Sequence, residues 1–254
     1  MTTPNRNIQV RNAPRFGTLR QGWIPDIITL HTSGWTKSSA INTIMNPANN
    51  VSYHYLISLA GDITQLVDIR NTAFHAGLSA DLRRQSLLAA VRTRNVNPNL
   101  YTIGIAFGDL HLNRGRLTQA QIESVIWLIQ CVRAEVRRIW GREIPIDRNH
   151  IVGHGQINPV TRSGCPGPIQ WDEIMSGLEK EDRYESEDEM VRINTIDEVP
   201  AVHQPMIRRL IQDGIIRGSG KTDANGLPSD MNLTEDMIRS MAFTERIIQK
   251  SIRD

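Results

Sequence analysis

Cysteine is nearly absent from this chain of 254 residues: only Cys131 and Cys165 occur, far apart and in different surroundings. Two such residues do not make the framework of a small disulfide-stapled fold, so stability has to come from a buried core. Long apolar runs are missing as well. No stretch of about 18 apolar residues is available to span a bilayer, and the first residues, Met1-Thr-Thr-Pro-Asn-Arg-Asn7, lack the apolar segment of a secretory signal. The expectation is a protein made soluble in a reducing, cytoplasmic compartment, with no membrane partner. A strong excess of one charge is also lacking, with 29 Lys and Arg against 27 Asp and Glu. The balance is uneven along the chain, however: residues 1–175 carry 18 basic against 11 acidic groups, and residues 176–254 carry 11 against 16. Length and charge together suggest one core domain with an appendix. The basic first part would suit an acidic polymer, cell wall or nucleic acid, but no nucleic-acid motif accompanies it, and no nucleic-acid partner is expected.

What the chain does have is a stretch, Ile151-Val-Gly-His-Gly-Gln-Ile-Asn-Pro-Val-Thr-Arg-Ser-Gly-Cys-Pro-Gly-Pro168, that puts a histidine and a cysteine on one short excursion. Small and apolar residues deliver His154 from an extended segment. Cys165 is followed at once by Pro166, Gly167 and Pro168, so its thiol sits in a turn that can continue neither a helix nor a central strand. Imidazole and thiolate are ligands that zinc prefers, and three protein ligands with an open fourth position make a hydrolytic site. The third ligand has to come from elsewhere. The alternative is a surface histidine and a small buried cysteine that never meet.

Along the rest of the first part, Ile27-Ile-Thr-Leu30 runs into His31-Thr-Ser-Gly34, the pattern of a buried strand ending at a functional edge. Residues 38–45 read as a helix. Residues 51–58, the turn Gly61-Asp62 and residues 63–67 read as a β-hairpin in which Tyr53 and His54 point to opposite faces. His75 lies in Phe74-His-Ala-Gly77, where Gly77 permits close approach. Residues 80–94 read as one helix, and residues 100–107 as a central strand. Thr118 with Gln121 forms a capping box ahead of a helix carrying Ile122, Val125, Ile126, Ile129, Val132, Val136 and Ile139 on one face. Cys131 reads as an apolar filler in that helix, and residues 144–152 as extended chain with His150 sharing the parity of His154. The expected class is α/β, a mixed central sheet flanked by helices, with a small helical C-terminal module.

Residues 176–193 are highly charged and read as a linker or solvated helix. Residues 194–254 regain apolar spacing: Met206, Ile207, Leu210 and Ile211 in one helix ended by Gly214, then Met237, Ile238, Met241, Ile247 and Ile248 in a second capped by Thr234. A helix-loop-helix of this size is near the lower limit of independent stability, which points to docking, self-association or binding.

In order, ITLHTSG, SYHYLISLAGDI, FHAG, YTIGIAFG and IVGHGQINPVTRSGCPGP, within residues 20–175, resemble the zinc-dependent N-acetylmuramoyl-L-alanine amidases, the family of phage lysozyme-type amidases and peptidoglycan recognition proteins. The resemblance implies one zinc ion per chain held by His31, His154 and Cys165, with Tyr53 assisting the attacking water and His75 beside the substrate groove. It implies a peptidoglycan hydrolase of endolysin type that acts on the cell wall after release from the cytoplasm; the alternative on the same fold is a non-catalytic peptidoglycan-binding module. Where one branch of the family has a glutamate in a GIE strand, this chain has Gly104-Ile105-Ala106. Two positions before the third ligand stands Ser163, next to Arg162, and either could stabilise an oxyanion. Residues 194–254 resemble a single surface-layer-homology type repeat, with Glu235 where the wall-binding version has arginine. A wall-binding or homo-oligomerising module is the expectation there.

Overall fold

The computed structural model describes residues 8–34, 36–188, 193–234 and 237–242. The chain divides into two compact units, residues 1–178 and 179–254.

The first unit is built on strands β1 (Ile8–Val10), β2 (Ile27–Thr32), β3 (Tyr55–Ile57), β4 (Ile63–Gln65), β5 (Thr102–Phe107) and β6 (Ile151–Gly153). They form one sheet in the order β1-β4-β3-β5-β2-β6. Only β3 and β4 run antiparallel, as a hairpin, while β1–β4, β3–β5, β5–β2 and β2–β6 are parallel. The hairpin turn uses Gly61 at φ +85°, where a Cβ would meet the Ala120 carbonyl oxygen at 2.8 Å. Glycine alone satisfies both the dihedral and the approach.

Helices cover both faces, as apolar strands on a mostly parallel sheet require. Their order is α1 (Lys37–Met45), α2 (Ala80–Arg84), α3 (Ala89–Arg94), α4 (Gln119–Trp140), α5 (His154–Ile157) and α6 (Trp171–Asp188). One face sends Ile28, Leu30, Ile57, Ile103, Ile105 and Phe107 against Ile122, Val125, Ile129, Val132 and Val136 of α4. On the other face Leu56 and Ala106 meet Ala40, Ile41 and Ile44 of α1, while Ile27 and Val152 pack with Val91, Tyr101 and Ile157. Because side chains alternate, His31 emerges with Ile27, away from α4.

The capping box of α4 forms as its sequence indicated: Gln121 N–H donates to Thr118 Oγ1 at 3.1 Å, and Thr118 N–H donates to Gln121 Oε1 at 3.1 Å. The Thr118 hydroxyl also donates to the Leu59 carbonyl at 2.7 Å, tying the helix start to the β3–β4 turn. Thr118→Ala is expected to lower stability by about 1–2 kcal/mol, the upper part of the range for lost caps, read as a shifted urea midpoint with unchanged slope.

Two sequence expectations differ from the structure. Residues 80–94 form two short helices, because the chain between them is drawn to Gln156: Leu87 N–H and the Ser86 hydroxyl both donate to its carbonyl, at 3.0 and 3.1 Å. The strand expected over residues 51–58 is confined to Tyr55–Ile57. Tyr53 and His54 therefore precede it and do not alternate.

In the second unit, α7 (Gln204–Gln212) buries Met206 and Ile207 and ends at Gly214, whose φ is +69°. A small core joins these to Ile193, Ile196, Val199, Ile216, Met231, Leu233 and Ile238. Residues 237–242 are helical; Glu235, Ile247 and Ile248 lie outside the described residues. No helix among the described residues is long and apolar enough to cross a membrane.

Candidate metal centre

Three chain segments converge at the C-terminal edge of the sheet. β2 delivers His31 as its fifth residue, almost fully buried. β6 ends at Gly153, and His154 opens α5 directly after it. Beyond α5 the chain folds back on itself. Asn158 holds that turn, accepting Thr161 N–H at 3.1 Å and donating to Thr161 Oγ1 at 2.6 Å, and Cys165 N–H donates to the Arg162 carbonyl at 2.9 Å. Gly155 N–H then donates to the Cys165 carbonyl at 2.8 Å. A Cβ on Gly155 would meet the Ser163 carbonyl oxygen at 2.7 Å, so the first glycine after His154 is what lets the cysteine loop close onto α5.

The result is a cluster in which the ligand atoms of His31, His154 and Cys165 all lie within 4.8 Å of one another. The facing Nδ1 atoms of His31 and His154 are 3.1 Å apart. A tetrahedral zinc with nitrogen bonds of about 2.05 Å spans an N···N edge of about 3.3 Å, so the imidazole pair already has the spacing of two ligands. Two imidazoles and one thiol are also the donor set that suits this borderline-soft ion. Among the described residues this is the one group of three or more His, Cys, Asp or Glu placed to hold a metal.

Around it the histidines are buried and the site is rich in imidazole. Burial, with the neighbouring His154, His75, His54 and Arg162 adding to it, holds His31 well below the usual histidine range. Burial first and Arg162 second push His154 down to about 4, and burial, His154 and Arg20 push His75 to about 3. His54 is lowered too, by burial, Arg20 and His75. All four stay neutral near pH 7, as metal ligation demands of the two that face each other. Burial raises the Cys165 thiol, with the Thr32 main-chain N–H and Arg162 working against it. Tyr53 packs its ring 5.1 Å from that of His31, and burial followed by the Cys165 charge pushes its phenol up to about 12.

These histidines make the unfolded chain the better proton acceptor. Their contribution to stability is complete above pH 6.5 and is lost as pH falls from there, toward about 4 for His154 and about 3 for His75, at up to about 1.4 kcal/mol per pH unit for each one. The metal-free protein is expected to have a much lower urea midpoint at pH 5 than at pH 7. Equal midpoints would contradict the buried, neutral cluster.

Of the residues singled out in the sequence, His31, His154, Cys165 and Tyr53 come together. His75 joins them from behind: it is 7% exposed, with Nδ1 3.0 Å from His31 Nε2, and it does not lie along an open surface. Arg162 and Ser163 are exposed on the cysteine loop. His150 lies apart from the cluster, paired with Asp147 at 2.8 Å. Tyr53 and His54, expected on opposite faces, both reach the cluster, His54 with its ring 5.6 Å from that of His75. Ala106 stands beside His31 in the β2–β5 register, so no carboxylate enters from that position.

Sequence reasoning passed over Arg20. It is 4% exposed and its guanidinium donates to the carbonyls of Ile69, Leu100 and Thr102 at 2.6, 3.0 and 3.2 Å. Burial lowers it to about 9 against a weak pull from Asp68. Nothing in its local sequence marks it. Outside the cysteine loop, a recess of about 530 Å³ is lined by Ser163, Cys165, Gln156, Arg148 and Trp171, with the Arg148 guanidinium 3.4 Å over the Trp171 ring.

A profile of the N-acetylmuramoyl-L-alanine amidase family matches residues 21–168. Among solved structures, the chain is similar to the endolysine N-acetylmuramoyl-L-alanine amidase LysCS from Clostridium intestinale URNW, at 20% identity over 68% of this chain and 95% of that one, with a TM-score of 0.47. It is similar to a mutant endolysin from Bacillus subtilis at 20% identity, covering 68% of this chain and 99% of that one, with a TM-score of 0.43. AmpDh3 from Pseudomonas aeruginosa, solved in complex with anhydromuramic pentapeptide, is 20% identical over 85% of this chain and 82% of its own, with a TM-score of 0.43. Among curated protein sequences no significant match is found.

Proposed function

The chain belongs to the N-acetylmuramoyl-L-alanine amidase family, peptidoglycan hydrolases that cut the amide between N-acetylmuramic acid and L-alanine, and we propose that it does so with one zinc ion held by His31, His154 and Cys165. The observation that carries the metal reading is the 3.1 Å approach of two neutral imidazole nitrogens beside a cysteine, at a sheet edge where chain segments more than a hundred residues apart meet. When bound there, zinc supplies Lewis acidity toward the amide carbonyl and brings the pKa of water toward neutrality.

The protein's own groups do the rest. His31 is held on a buried strand and Cys165 by main-chain hydrogen bonds to Arg162 and Gly155, so the donors are oriented before any ligand arrives. Tyr53, kept protonated by its raised pKa, donates a hydrogen bond to the attacking water or to the carbonyl oxygen as negative charge grows on it. With alanine at position 106 no carboxylate stands beside His31, and the phenol acts there as a hydrogen-bond donor only. Arg162 adds positive charge on the exposed side, with the Ser163 hydroxyl next to it. The amine of L-alanine leaves with the water's proton. The recess beside Cys165 would take part of the glycopeptide.

The wider proposal is an endolysin of phage or prophage origin, stored in the cytoplasm and acting on the wall after release. Residues 194–254 would serve as a wall-binding or self-associating module, and Val202 and Ile215, 73% and 67% exposed, are apolar groups such a role could use. The test is digestion of purified peptidoglycan. New alanine N-termini without new reducing sugar ends support the reading, and intact stem peptides after incubation with zinc-loaded protein would overturn it.

A further inference from the structure

His75 is placed to fix which nitrogen of His31 carries the ring proton. The chain of contacts begins at a fixed acceptor: the Thr102 hydroxyl donates to the Pro98 carbonyl at 2.8 Å. Its one proton is thereby used, and Oγ1 can only accept from His75 Nε2, 3.3 Å away. A neutral imidazole has one N–H, so His75 Nδ1 is then an acceptor. It faces His31 Nε2 at 3.0 Å. The proton of His31 must lie on that nitrogen, and the lone pair of Nδ1 is left facing His154.

The backbone is built around this contact. His75 N–H and Ala76 N–H both donate to Asn99 Oδ1, at 3.2 and 2.7 Å, so the loop that carries Pro98 also holds the main chain of His75. Arg20 binds the carbonyls of Leu100, in that loop, and of Thr102, the first residue of β5. Gly104 completes the seat: a Cβ there would stand 2.6 Å from His75 Cγ and 2.7 Å from its Nδ1. The ring lies where a β5 side chain would otherwise be, which explains a lone glycine in an apolar central strand.

We propose that His75 is a positioning residue, the middle member of a tautomer relay Pro98–Thr102–His75–His31 that presents the Nδ1 lone pair of His31 to the metal. The inference rests on the zinc reading of His31, His154 and Cys165. Such outer partners of a ligating histidine fix its tautomer and ring orientation, and their loss typically weakens metal affinity 10–100-fold.

The experiment compares full-length wild type with His75→Leu, His75→Asn and Thr102→Val by zinc competition against a chromophoric chelator, with circular dichroism of each metal-free chain. His75→Leu is expected to bind zinc about 10–100-fold more weakly. His75→Asn, whose side-chain oxygen can accept from His31 Nε2–H, is expected to recover most of that loss. Thr102→Val, which keeps the shape and removes the acceptor, is expected to fall between them. Nitrogen-15 spectra of the metal-free wild type should put the proton of His31 on Nε2, and Thr102→Val should mix the tautomers. Zinc affinities within about two-fold of wild type in His75→Leu and Thr102→Val, or a His31 proton on Nδ1, would overturn the relay while leaving the zinc site standing. A wild type that binds no zinc would instead remove the metal reading on which the relay rests.

Discussion

Replacing Cys165 with alanine is expected to reduce peptidoglycan hydrolysis at least about 10³-fold, about 4 kcal/mol of barrier, and to remove tightly bound zinc with it. The size follows from what the thiolate would do: two imidazoles alone would give a bound ion neither the charge balance nor the third protein ligand of a hydrolytic zinc site. The fold should survive. Cys165 holds its loop through main-chain bonds, its N–H to the Arg162 carbonyl and its carbonyl from Gly155 N–H, and alanine keeps both. Circular dichroism and the urea midpoint of the metal-free protein should therefore match wild type while turnover collapses. Activity within tenfold of wild type would exclude the thiolate as a ligand.

Tyr53→Phe should cost about 10²–10³ in kcat, or about 3–4 kcal/mol, with KM little changed and zinc content retained. Phenylalanine keeps the ring in the cluster that contains Ala40, Ile41 and Leu56, so packing is preserved and the hydroxyl alone is lost. Since the phenol is held up at about 12, it is a donor throughout the usual assay range, and no loss of rate through its ionisation is expected between pH 7 and 10. A fully active Tyr53→Phe protein would mean that hydrogen-bond donation to the oxyanion falls to Arg162 or Ser163, neither of which is fixed by burial.

The parts of the fold that could be read from the sequence were those set by local physical chemistry. The start of α4 followed from Thr118 and Gln121, the central position of β5 from its unbroken apolar run, and the hairpin from Gly61-Asp62 between β-branched residues. The approach of His154 to Cys165 was legible because glycines and prolines force that segment to turn back. His31 was named through family resemblance, since a lone histidine at a strand end carries no ligand signature. What remained hidden depended on long-range contacts. The break between α2 and α3 is caused by Gln156, about seventy residues away. The burial of His75 behind His31 depends on Gly104, Thr102 and Asn99, and Arg20 is placed by carbonyls from two distant loops. Gly104 was the one visible trace: a glycine inside an apolar strand signals that something else fills the space of its missing side chain.

Metal analysis of the purified full-length protein tests the central claim most directly. One zinc per chain, lost on chelation together with amidase activity and restored with it, and absent from His31→Ala, His154→Ala and Cys165→Ala proteins that remain folded, is the expected result. Undiminished hydrolysis by rigorously metal-free protein, or stoichiometric zinc retained after all three side chains have been replaced, would contradict it.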